Sequence, residues 1–107
     1  PGMAKQMVYT ARNIKADEAL RIGLVNAVYP LAELYTAAEK LASQIAANAP
    51  IAVRAAKKAI NEGLDLPMDE AVVVEEKAFG SCFETADQQE GMGAFLEKRK
   101  HEPFTNK

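Results

Sequence analysis

Only one stretch of this chain reads as a β-strand, and one strand cannot satisfy its own hydrogen-bond ladder. Leu24–Tyr29, LVNAVY, sets valines and a tyrosine between Gly23 and Pro30, the composition and punctuation of a short strand. It must pair with something outside the chain or lie extended against helices. The fold class is therefore predicted to be mainly α, with one short extended segment near 24–29.

Helical periodicity accounts for most of the remainder. Met3, Ala4, Met7, Val8 and Ala11 keep one face, which predicts a helix over 3–11. A second short helix is predicted over Ala16–Ile22, where Asp17 and Glu18 suit the positive end of the helix dipole and Gly23 can supply a left-handed stop. Those two carboxylates thus read as helix signals rather than as an acid and a base. After Pro30 the positions Leu31, Leu34, Tyr35, Ala38, Leu41, Ala42 and Ile45 form an unbroken amphipathic pattern to about Asn48. Pro50 opens the next helix, which runs to Gly63 with Ala52, Ala55, Ala56 and Ala59 on a face fit for close helix contact. Its outer face carries Arg54, Lys57 and Lys58, either as solvated cations or as a phosphate contact.

A fifth helix is predicted over Met68 to about Phe83. Val72, Val73 and Val74 point to different sides of it, while Ala71, Ala78, Phe79 and Cys82 extend one stripe. Apolar residues on several sides imply burial on several sides, and in a chain this small that favours another protein surface. Thr85 and Gln88 have the spacing of a capping box, so a sixth helix should begin near Ala86. Met92, Phe95, Leu96 and Arg99 fall on one stripe of it, and Pro103 is expected to stop it. Gly91 and Gly93 weaken its interior by about 1 kcal/mol each relative to alanine. Close approach of a neighbouring helix would offset that loss, and so would a surface that meets a ligand or a second subunit.

Length and charge narrow the function classes. A chain of 107 residues supports one domain with a modest core. Its hydrophobic share of 49% is rich in alanine and lacks tryptophan, which suits helix packing. A formal net charge of -2 does not suggest binding to nucleic acid or to a membrane surface. No apolar run approaches the ~20 residues of a span, and the first residues show no signal-peptide pattern. A soluble, cytoplasmic setting is expected. Pro1 and Gly2 are compatible with a trimmed initiator methionine or with a piece of a longer protein.

Catalytic constellations are mostly missing. His101 is the only histidine and stands in a charged tail, so neither a metal site nor a histidine triad has material. Cys82 has no disulfide partner and reads as a buried inert thiol. Gly91 and Gly93 make only a GxG inside a helix, which excludes a dinucleotide fingerprint. The neighbouring acids Asp69/Glu70 and Glu75/Glu76 diverge by about 100 degrees on a helix and do not converge on a substrate. One positive signal is the run Lys98, Arg99, Lys100 one turn beyond Phe95. Cations beside an aromatic ring can hold a phosphate while the ring stacks on a base, and they also complement a helix C-terminus.

Two runs, IKADEALRIGLVNAV over Ile14–Val28 and TADQQEGMGAFLEKRK over Thr85–Lys100, resemble the C-terminal third of the crotonase (enoyl-CoA hydratase) superfamily. The resemblance covers essentially the whole chain and is nearest to the bacterial short-chain enoyl-CoA hydratases, or 3-hydroxybutyryl-CoA dehydratases. It implies a parent protein in which a spiral of ββα units carries the active site. A helical C-terminal domain, here residues 1–107, covers that site and builds homo-trimers, which often pair into hexamers. In the family pattern the oxyanion-hole amides and two catalytic glutamates precede Pro1, so no catalytic residue is assigned here and the isolated chain is expected to be inactive. The implied substrate is a coenzyme A thioester shared with a neighbouring subunit, with no prosthetic group. The position matching Lys98 approaches the phosphate or ribose of that coenzyme, and those matching Phe95 and Phe79 lie near its adenine. The chain is also expected to self-associate through faces that the parent buries. Two alternatives remain open: an enoyl-CoA isomerase on the same scaffold, and a non-catalytic helical assembly module.

Overall fold

Six helices and no strand make up the chain in a computed structural model that describes all 107 residues. The helices are α1 (Gly2–Thr10), α2 (Ala16–Arg21), α3 (Leu31–Ala46), α4 (Pro50–Gly63), α5 (Met68–Cys82) and α6 (Ala86–Leu96). They fall within a residue or two of the periodicity-based expectations except at the end of α6. None is long and apolar enough to cross a membrane. Leu24–Tyr29 is not a strand: a bend occupies 24–26 and irregular backbone follows to Pro30. Valine and tyrosine content favours a pleated surface only where a neighbouring strand supplies the ladder, and this chain offers none.

The chain divides into two compact units, Pro1–Glu39 and Lys40–Lys107. In the first, α2 ends as the sequence requires. Gly23 adopts φ 75°, and its amide donates to the Leu20 carbonyl at 3.1 Å while the Leu24 amide donates to Ala19 at 2.9 Å. This pair of bonds is a Schellman turn, in which glycine takes the left-handed position without a Cβ clash. Arg12 forks onto Glu18 with bonds of 2.9 and 2.7 Å. That contact holds the Arg12 guanidinium above, and the Glu18 carboxyl below, its ordinary pKa. Ala19 is the buried apolar residue of this unit, whereas Leu31 and Tyr35 are 88% and 80% exposed.

In the second unit α4 and α5 make the main helix–helix contact. Alanines 52, 55, 56 and 59 face Ala71, Val72 and Ala78 across a groove of about 690 Å³. At its end Gly63 comes so close to α5 that a Cβ there would meet the Ala71 Cβ at 3.4 Å. Phe79 and Phe83 pack edge to face, 5.2 Å apart. Cys82 is half-buried rather than buried, and its thiol donates to the Ala78 carbonyl at 3.4 Å.

The α6 cap forms in half of the expected way. The Gln88 amide donates to the Thr85 hydroxyl at 3.1 Å. The Thr85 amide, which a capping box would give to the Gln88 side chain, goes instead to the Cys82 carbonyl at 3.1 Å. The end of α5 runs so closely into α6 that a backbone acceptor is already in place. The expected modest core is absent: across both units the buried apolar residues are Ala19 and Ala94. Helix faces that are apolar in sequence remain uncovered in this chain, because no second layer lies over them. Replacing Thr85 by alanine should destabilise this unit by about 1 kcal/mol, the usual cost of a lost N-cap, while serine should retain most of it. Thermal unfolding of both variants checks this.

Candidate coenzyme-contact site at the end of the last helix

A strap formed by the C-terminal tail organises this region. Asp87, in the first turn of α6, is only 2% exposed. Its carboxylate accepts the Thr105 amide at 2.6 Å, the Thr105 hydroxyl at 3.1 Å and the Asn106 amide at 2.8 Å. Burial pushes its pKa up, but these three donors more than offset that and hold it below the ordinary value. The amides of Ala86 and Asp87 donate to the Lys107 carbonyl at 2.8 and 3.3 Å, so the tail also caps α6. From α4, Arg54 donates to the Asn106 side-chain oxygen at 2.7 Å, which gives this cation a partner within the chain.

The strap and Arg99, rather than a neighbouring helix, lie beside the glycines of α6, at distances where a Cβ would make only ordinary contacts, so nothing within this chain requires glycine at either position. A Cβ on Gly91 would meet the Phe104 ring at 3.5 Å, and one on Gly93 would meet the Arg99 guanidinium at 3.8 Å. Phe104 in turn stacks on His101 with ring centres 4.3 Å apart.

The far end of α6 departs from expectation. The helix stops at Leu96, well before Pro103, because the chain turns at Lys98 with φ 54°. The Lys98 amide donates to Phe95 at 3.2 Å and the Arg99 amide to Ala94 at 3.0 Å, the same Schellman turn that closes α2. Here a lysine occupies the position that glycine fills at lower cost, by about 1 kcal/mol. Arg99 is therefore not on the helical stripe with Met92 and Phe95. Its guanidinium folds back to fork onto Glu90 at 2.6 and 3.1 Å, and its Nε donates to Glu97 at 2.6 Å. Glu90 also accepts the Glu102 amide at 2.7 Å. The Arg99 bond, followed by the Glu102 amide, draws the Glu90 pKa from 4.5 down to about 2 and raises that of Arg99.

Of the three residues assigned to coenzyme contact, two are brought together. Phe95 and Lys98 share the closing turn, and the Phe95 ring is 77% exposed. Lys98 takes part in none of the chain's ion pairs. Phe79, 66% exposed, borders the α4–α5 groove and has Phe83 as its ring partner. Asp87, Glu90 and Phe104 were not singled out from sequence. For Asp87, nothing in the sequence flags donors 18 residues further on.

A family model described as enoyl-CoA hydratase/isomerase matches residues 1–107. The chain belongs to the enoyl-CoA hydratase/isomerase family. Among its relatives, the short-chain-enoyl-CoA hydratase of Clostridium acetobutylicum is 55% identical over 106 residues, covering 99% of this chain and 41% of that protein. The crotonyl-CoA hydratase of Syntrophomonas wolfei is 55% identical over 100 residues, covering 94% and 38%. The crystal structure of a Bacillus anthracis enoyl-CoA hydratase superposes with a TM-score of 0.93 at 39% identity, over all of this chain and 41% of that one. An enoyl-CoA hydratase/isomerase from Mycobacterium paratuberculosis reaches the same TM-score at 29% identity, over 100% and 42%. The chain thus spans about two-fifths of the length of these family members.

The Glu90 shift sets a pH dependence. Between pH 4.5 and about 2 the unfolded chain binds a proton that the folded Glu90 refuses, so this contribution is complete above that window and is lost as pH falls through it. Asp87 acts in the same direction. Thermal unfolding across this range should show a steep acid loss in the native chain and a shallower one in Glu90→Gln.

Proposed function

We propose that residues 1–107 form the single C-terminal helical domain of a longer enoyl-CoA hydratase, which covers bound coenzyme and builds the oligomer. The parent would add water reversibly across the double bond of a short-chain 2-enoyl-CoA of the crotonyl type, giving the 3-hydroxyacyl-CoA. The observation that carries this reading is the 55% identity over 106 residues to a short-chain-enoyl-CoA hydratase, with a crotonyl-CoA hydratase at the same level. The coenzyme A thioester is the substrate, no prosthetic group is required, and the setting is cytoplasmic.

In this reading the Lys98 ammonium meets the phosphate or ribose of a coenzyme held mainly by a neighbouring subunit. Phe95 and Phe79 offer ring faces to its adenine. The exposure of both rings and the unpaired state of Lys98 support the assignment, since each group is left available for a partner. The uncovered apolar residues support burial in a homo-trimer or hexamer. Water addition itself belongs to glutamates and oxyanion-hole amides of the upstream region.

Two measurements test this. The 107-residue chain alone should leave the absorbance of crotonyl-CoA unchanged, and activity should appear only with the upstream region joined to it. In the full-length parent, Lys98→Ala should raise the KM for crotonyl-CoA roughly tenfold, the scale of one lost hydrogen bond to a charged group, with kcat little altered. An unchanged KM would remove Lys98 from the site.

A further inference from the structure

The chain builds the same helix-ending turn twice and fills its left-handed position differently. At α2 the residue is Gly23, with φ 75°; at α6 it is Lys98, with φ 54°. The bond pattern is the same in both, from the residue in the left-handed position and from the one after it. Glycine adopts this geometry without strain, whereas a residue with a Cβ adopts it at a cost of about 1 kcal/mol, as Lys98 does here and Ala11 does at the end of α1 with φ 48°; contacts on the flanking residues offset that cost. The Lys98 side chain supplies no holding contact, since none of the chain's ion pairs or side-chain hydrogen bonds uses it. Its two neighbours do. Glu97 accepts the Arg99 Nε at 2.6 Å, and the other edge of the Arg99 guanidinium forks onto Glu90 in the body of α6. Arg99 therefore ties together the residues on both sides of Lys98 and anchors them to the helix.

We propose that Arg99 is a positioning residue for coenzyme binding: through Glu90 and Glu97 it holds the turn that presents the Lys98 ammonium. This rests on the reading of Lys98 as a coenzyme contact. A planar, always-charged fork suits the task because it fixes direction as well as distance, which an ammonium cannot do. The clamp carries no chemistry of its own. Its effect should appear only with substrates that have a phosphate for Lys98 to meet.

The test uses the full-length parent with crotonyl-CoA and with crotonyl-pantetheine, which has the same acyl thioester but no phosphate. Arg99→Gln should raise the KM for crotonyl-CoA about as much as Lys98→Ala does, roughly tenfold. The KM for crotonyl-pantetheine should move by less than about twofold, and Arg99→Lys should recover only part of the loss. The double variant Lys98→Ala/Arg99→Gln should be no worse than either single one, because both remove the same contact. Glu97→Gln, which spares the Glu90 fork, gives a milder version if Arg99→Gln fails to fold, with an increase of about threefold confined to crotonyl-CoA. If Lys98→Ala raises KM and the clamp variants do not, the positioning role is wrong while the Lys98 contact stands. If Lys98→Ala has no effect, both are wrong. Equal losses with the two substrates would mark Arg99 as merely structural and overturn the proposal.

Discussion

The buried Asp87 carboxylate is the interaction on which the described architecture of the second unit turns. It sits where the N-terminal amides of α6 favour a negative charge, and it takes its remaining donors from a tail with no secondary structure. Removing those donors would leave a desolvated charge unpaired. With them, the tail becomes a strap along α6, and Phe104 lies on the surface that Gly91 leaves open. Glu90 completes the arrangement by accepting from both the tail and Arg99. A chain with so little apolar burial is thus ordered at its C-terminal end by carboxylates that collect backbone and guanidinium donors.

That economy explains what could be read from sequence and what could not. Local signals were sufficient for the helices: Pro50 at the start of α4, Gly23 at the end of α2, and the threonine cap of α6 all act within a turn of their own position. The failures are non-local or competitive. Leu24–Tyr29 has the residues of a strand but no partner. Pro103 was expected to end α6, yet a turn at Lys98 ends it sooner, because lysine is not a residue that advertises a left-handed stop. The small residues at 91 and 93 lie beside the tail and Arg99, which sequence spacing does not announce, and at distances that leave room for a Cβ, so close approach within this chain does not account for them.

The candidate site was legible only in part. The pairing of Phe95 with Lys98 follows from their spacing. Their presentation depends on Arg99 bending back to Glu90, and periodicity had placed Arg99 on the helix itself. Phe79 lies on a different element, beside Phe83 and the α4–α5 groove. Resemblance named all three, and around one of them, Lys98, Arg99 ties the flanking residues to α6 through Glu90 and Glu97. Family membership covers the whole chain, and the chain spans about two-fifths of the length of the relatives it matches.

The most direct test of the account is the structure of the full-length oligomer with coenzyme A bound. The account predicts the Lys98 Nζ within about 3 Å of a phosphate or ribose oxygen of a coenzyme held by a neighbouring subunit, with Lys98 still in its left-handed turn and Arg99 still on Glu90. A bound coenzyme that Lys98 does not approach, with its ammonium free in solvent, would contradict it.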